Sequence, residues 1–461
     1  MTENINTPVE VFRDPFVKYQ KYIAMASAVF LFFLFTLHRL DSLSSLTDST
    51  VKGIDYFTLP RCGLALLNGS NVFTSTADYQ SYGPWGSNYT SHPLLCLVFG
   101  IPLAKLSPWV GYWLMNFCYL ILQLVMLQVF FSRSNKIKFS GVEKIWETVF
   151  AISSGFFMPW YTMYNQGQYH ALAVLGLFLI LAWPYKLQTQ VGGFLLSAFA
   201  KPVLAPLAIV IFFARSLGSF RYKILIWTSV IVILGSLPFA VDWSYLFSDF
   251  RLNMTESFQF YLTNGSDYMK YAIWRWNQQQ SLATVLDEFM SRDLSLAVRY
   301  LLTGIVISLS VFLVAVKNRN QNQNQNNIGH NQSIVPALAL CSTWYFLMYA
   351  RGHEYQWTLF LPILLCLYFE NSGRYRNAWI AFLGLFLAMP NGYFIYHLIH
   401  QFNGVDAMPS SKMIEISPTA YALFIFPKPL GALLVAVTIT VNELKLYFRS
   451  ECSQNSRIDV M

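Results

Sequence analysis

Charge is scarce in this chain. Asp, Glu, Lys and Arg supply 12% of its 461 residues, against 55% hydrophobic and 17% aromatic. Soluble domains carry about 25% charged residues, so a water-soluble globular protein is excluded and a polytopic membrane protein is expected. The six cysteines (62, 96, 118, 341, 366 and 452) form no CxxC pair and no His-linked metal spacing, and they read as small apolar fillers. No arginine-rich low-complexity arm accompanies the net charge of +8, which sets nucleic acid aside as a partner. A cleavable signal peptide is not evident. The N-terminal tail is polar, and the first apolar run, from near Tyr22, reads as a signal anchor. Acidic and basic residues are nearly missing from the middle of the apolar runs, whereas an ion-coupled transporter more often carries intramembrane carboxylates and repeated broken helices.

What is present is a series of apolar runs. A crossing needs roughly 17–25 residues. Candidate spans are 22–38, 108–131, 146–164, 169–184, 190–200, 203–214, 222–240, 295–316, 333–349, 356–370, 377–397 and 419–440. The pair 190–200 and 203–214 is either one kinked span or a tight hairpin turning at Lys201, and 92–106 is apolar but short, suited to the interface. Charge favours the hairpin. With about twelve crossings (range about 10–13), the side holding both termini carries 18 of the 31 Lys and Arg, which matches the positive-inside bias. The expected fold is all-α and multi-pass, with outer loops 39–107 and 241–294. The run "NRNQNQNQNN" within 317–332 reads as a polar inner linker between an N-terminal module (1–316) and C-terminal helices (333–461).

Polar residues gather at the outer ends of these spans. "GIDYFTLPRCGLALLNGSNVF" (53–73) sets Asp55 ahead of an amphipathic helix that can lie at the interface. "YGPWGSNYTSHPLL" (82–95) brings Tyr82 and His92 among turn formers. "YNQGQYHAL" (164–172) is a tight turn carrying Asn165, Gln166 and Gln168. In "FAKPVLAP" (199–206), the hairpin reading puts Pro202 in the first turn of a descending helix, whose free N–H groups join Lys201 in an anion site. "RWNQQQSLATVL" (275–286) and "ARGHEYQW" (350–357) add Arg275, Asn277, Arg351 and His353. Each stretch also has a plain reading, as a solvated loop, a helix cap or a snorkelling cation.

Taken in order, these stretches resemble the GT-C glycosyltransferases, and within them glycosyltransferase family 87. The resemblance covers roughly residues 20–370. It rests on the aspartate after the first span, the helical run ending in "LLNG", the "HPL" stretch, "GQYHAL", "KPVLAP", "NQQQSL" and "HEYQWTLFLP". The chain departs from the family at Tyr169, where asparagine is more usual, and in the run Gln278–Gln280. The resemblance implies a polyprenyl-phosphate sugar as donor, mannose-like in the first instance. It also implies inversion at the anomeric carbon, Asp55 as general base, and Lys201 on the donor phosphate, with His353, Arg351 and Arg275 assisting. Gln168, Gln166, Asn165, Asn277, Tyr82 and His92 would contact substrate.

The chemistry is consistent with one carboxylate. In-line displacement at an anomeric carbon needs a base for the acceptor hydroxyl and fixed positive charge for the departing phosphate. Retention would require a second, nucleophilic carboxylate. No metal is expected, and no cofactor. Expected partners are membrane lipid, the lipid-linked donor and a glycolipid or polysaccharide acceptor. The working location is a bacterial inner membrane, with cytoplasmic termini and an extracytoplasmic site. The rival expectation is a transporter or flippase for a polyprenyl-linked glycan.

Overall fold

The computed structural model describes residues 15–40, 52–53, 55–68, 82–83, 95–132, 141–200, 203–236, 290–323, 334–348, 354–370, 375–388 and 427–458. Every regular element among them is helical. By length and composition, four stretches can cross a membrane: Tyr19–Thr36, Pro108–Phe131, Asp293–Val316 and Pro427–Phe448. Shorter apolar helices, Thr58–Leu67, His170–Ala182, Val335–Phe346 and Gln356–Phe369, accompany them. The described part of the chain is therefore all-helical and has the apolar spans of a membrane protein.

The helix Pro108–Phe131 shows why a membrane is the natural solvent. Pro108 opens it, where a missing N–H costs nothing. Its exposed side carries Val110, Leu114, Phe117, Ile121 and Val125, each at least 43% exposed. Its buried side carries Tyr112, Asn116, Tyr119 and Gln123, spaced i, i+4, i+7 and i+11 along one face. Apolar groups outside and polar groups inside invert the pattern of a water-soluble helix, and suit a helix whose outer face meets hydrocarbon.

In chain order the helices are α1 (Pro15–Thr36), α2 (Thr58–Leu67), a π-helical turn (Cys96–Gly100) running into α3 (Ile101–Ala104), and α4 (Pro108–Phe131). Then come α5 (Gly141–Gly155), α6 (Pro159–Gln166), α7 (His170–Ala182), α8 (Leu187–Ala200), α9 (Leu207–Phe213), a 3₁₀ turn (Arg215–Leu217) and α10 (Phe220–Ser236). The C-terminal set is α11 (Arg292–Gln323), α12 (Val335–Ser342), α13 (Trp344–Met348), a 3₁₀ helix (Glu354–Leu359), α14 (Phe360–Glu370), α15 (Tyr375–Ala388) and α16 (Pro427–Ile458). Helix α1 packs on α4 and α5, α7 on α8, and α15 on α14 and α16. One continuous apolar core runs from Ala24 to Ile439, so the N- and C-terminal helices share it.

Several elements differ from the sequence expectation. The span 146–164 is broken: α5 stops at Gly155 and Pro159 starts α6, because a proline cannot continue the hydrogen-bond ladder. The two segments expected to form a hairpin at Lys201, which itself lies outside the described residues, are not two matched helices. The second helix begins at Leu207, not at Pro202, and has 7 residues. So short a helix sums few peptide dipoles, and α9 packs on α11 and α12 while α10 lies along α8. The run expected as a linker from 317 stays helical to Gln323, since Gln, Lys and Arg extend an established helix at little cost. Segment 92–106 contributes the π-helical turn and α3, which pack across α2, and Leu97, Val98 and Phe99 face outward.

Candidate functional site

The loop after α1 and the turn between α6 and α7 meet at one end of α4. The backbone N–H of Gly53 donates to the Asn165 carbonyl at 2.7 Å, and that of Asp55 to the Gln166 carbonyl at 3.1 Å. The side-chain amide of Gln168 donates to the Asp55 carboxylate. The Tyr169 hydroxyl donates to the Tyr56 carbonyl. Asp55 is half-buried, whereas Gln168 and Asn165 are buried.

Gly167 makes this register possible. It caps α6 in the left-handed region at φ +67°, where glycine alone carries no steric penalty. A Cβ there would lie 2.6 Å from the Tyr56 Cβ, so the turn and the loop could not close.

The polar face of α4 supports the turn from below. Tyr112 donates to the Tyr164 carbonyl at 2.7 Å and the Asn165 carbonyl at 3.1 Å. Tyr119 donates to the Gln168 carbonyl at 2.7 Å. Gln123 accepts from the Tyr164 hydroxyl at 2.7 Å and donates to the Gly155 carbonyl, where α5 breaks, at 2.8 Å. Asn116 lies within the same face, fully buried, and neither polar atom of its amide has a hydrogen-bond partner among the described residues. None of these α4 residues was singled out from the sequence. The available signal was their helical spacing, overlaid by the apolar residues between them.

Arg61 ties the second stretch to the first. It donates to the carbonyls of Tyr82 at 3.1 Å and Gly83 at 2.8 Å. The Tyr82 hydroxyl bonds the carbonyls of Leu103 and Leu106 at 2.8 and 2.9 Å. Burial pushes the Tyr82 phenol up, with partial relief from the Tyr56 hydroxyl, and lowers the Arg61 guanidinium. Tyr82 thus ties α2, through Arg61, to α3 and Leu106. Lys52, three residues before Asp55, is buried with its Nζ 3.5 Å from His38 Nε2 and 4.9 Å from the Phe35 ring centre. It is a cation near Asp55 in sequence that the sequence reading did not select.

The structure thus brings together Asp55, Asn165, Gln166 and Gln168, with Tyr82 one layer away through Arg61. Lys201, Arg351, His353, Arg275, Asn277 and His92 lie outside the described residues. The 3₁₀ helix that follows His353 packs on α6 and α7, the two helices flanking the Gln168 turn. A shallow crevice lined by Pro336, Leu367, Ile380, Val435 and Glu443 belongs to the C-terminal helices and shares no residue with this cluster.

Comparison with family models, with curated proteins and with solved structures returns no match in any of the three. The resemblance to glycosyltransferase family 87 therefore rests on the quoted motifs.

Proposed function

We propose that this chain is an inverting glycosyltransferase that moves one sugar from a polyprenyl phosphate to a lipid or polysaccharide acceptor. The protein crosses the membrane about twelve times. Both termini are cytoplasmic, and the site faces the extracytoplasmic interface of a bacterial inner membrane. Mannose-like hexoses are the favoured donor sugars. The observation that carries this reading is the hydrogen bond from Gln168 to the Asp55 carboxylate. It joins two of the motif stretches on which the family resemblance depends.

In this reaction the acceptor hydroxyl attacks the anomeric carbon on the face opposite the phosphate. Asp55 takes the hydroxyl proton as the new C–O bond forms. The bond from the anomeric carbon to the phosphate oxygen breaks, and polyprenyl phosphate leaves with the electron pair. Cations stabilise that leaving group, and Lys201 is the residue assigned to it, with His353, Arg351 and Arg275 as helpers. Gln168 fixes the carboxylate orientation and leaves the second oxygen for the acceptor. A phosphate leaving group requires no acid, so one carboxylate is enough.

The reading is tested with purified protein and a panel of defined polyprenyl-phosphate sugars, the products being separated by thin-layer chromatography. Transfer of one sugar with inverted anomeric configuration supports it. Retained configuration, or translocation of donor without any transfer, overturns it.

A further inference from the structure

Cys62 and Cys96 lie 34 positions apart in sequence, yet they share one small buried cluster with Leu59, Ala65 and Leu95. Both are thiols in the structure and both are fully buried. Their side chains are within hydrogen-bonding reach of each other. The supporting geometry is a backbone crossing: a Cβ on Gly63 would fall 2.2 Å from the Gly100 carbonyl carbon, and one on Gly100 would fall 2.6 Å from the Leu59 carbonyl oxygen. The two glycines let α2 and the π-helical turn touch main chain to main chain. That contact brings Cys62, next to Gly63, against Cys96, at the start of the π-helical turn.

We propose that Cys62 and Cys96 form a disulfide in the mature protein, installed by an oxidised dithiol oxidoreductase of the extracytoplasmic space. The inference rests on the outward placement of this loop in the proposed function, and not on the transfer reaction. Disulfides persist in such oxidising compartments and not in the cytosol. One cysteine thiolate attacks a sulfur of the oxidant's disulfide and forms a mixed disulfide, releasing the other sulfur. The second cysteine thiolate then attacks the first cysteine's Sγ and releases the oxidant as a dithiol. Two electrons and the two protons pass to the oxidant. Burial pushes the Cys62 thiol up, so exchange is slow once the cluster has closed. The bond forms before α2 packs on the π-helical turn, and afterwards holds them together. Because α2 begins three residues after Asp55, the bond fixes the C-terminal side of the catalytic loop.

The test uses the full-length protein in its own membranes. Membranes are denatured in excess alkylating agent, digested, and analysed by mass spectrometry with and without prior reduction. The expected result is a linked Cys62–Cys96 peptide pair that vanishes on reduction and is lost in either Cys62→Ser or Cys96→Ser. Sidedness is read from an Asn68→Cys variant in the Cys62→Ser, Cys96→Ser background, Asn68 being exposed at the end of α2. A membrane-impermeant maleimide should label it in intact cells. Labelling together with fully alkylated Cys62 and Cys96 before reduction overturns the disulfide alone. No labelling, together with fully alkylated thiols, overturns the disulfide and the outward placement of the site.

Discussion

The Gln168 side chain donates to the Asp55 carboxylate across 113 positions of sequence. Asp55 follows α1 and Gln168 precedes α7, so this one hydrogen bond depends on the packing of the whole N-terminal half. A charge-assisted hydrogen bond of this kind contributes about 1.5–3 kcal/mol. Gln168→Ala should therefore lower transfer by about 10-fold or more while leaving the helices assembled. Steady-state kinetics with a fixed donor check this. On the proposed reading a fall in kcat reports the misoriented base, and a rise in KM reports the substrate contact that the resemblance implies for Gln168.

Gly167→Ala should destabilise the site more than its single methyl group suggests. The residue sits at φ +67°, and its Cβ would lie 2.6 Å from the Tyr56 Cβ. Strain of this kind costs about 1–3 kcal/mol, with the steric clash added. A lower thermal transition and reduced transfer are expected together, read by a thermal shift assay in detergent and by activity.

Tyr119→Phe and Tyr164→Phe each remove one hydroxyl from the buried network beneath the turn. The first takes a donor from the Gln168 carbonyl, and the second takes one from the Gln123 side chain. A buried acceptor left without its donor costs about 1–3 kcal/mol, so both variants should melt earlier than the parent.

Asn116→Leu should behave in the opposite way. Both polar atoms of the Asn116 amide are buried without a hydrogen-bond partner among the described residues, so an apolar side chain of similar size removes a desolvation cost. An unchanged or higher thermal transition is expected in the same assay, in contrast to the two tyrosine variants.

The long helices were legible in the sequence because nothing interrupts their apolar runs. Helix α4 coincides with the expected span 108–131. The break between α5 and α6 was hidden by the bulky apolar residues Phe156, Phe157 and Met158 between Gly155 and Pro159, although Pro159 itself was a stop signal. Asp55 and Gln168 could be selected as residue types in polar outer loops. Their contact could not, because it depends on a left-handed Gly167 and on Tyr112 and Tyr119 reaching up from a helix that reads as uniformly apolar. The Cys62–Cys96 contact was equally hidden, since it follows from a crossing of two short helical segments at Gly63 and Gly100. Sequence spacing carries no information about such a crossing.

The most direct measurement is sugar transfer by purified Asp55→Asn from a defined polyprenyl-phosphate sugar. Asparagine keeps a side-chain oxygen to accept from Gln168 and loses only the capacity to take a proton. Transfer should fall by about 10²–10⁴-fold, with donor binding and the thermal transition unchanged. A folded, donor-binding Asp55→Asn protein that transfers sugar at the parent rate would contradict the assignment of Asp55 as the base.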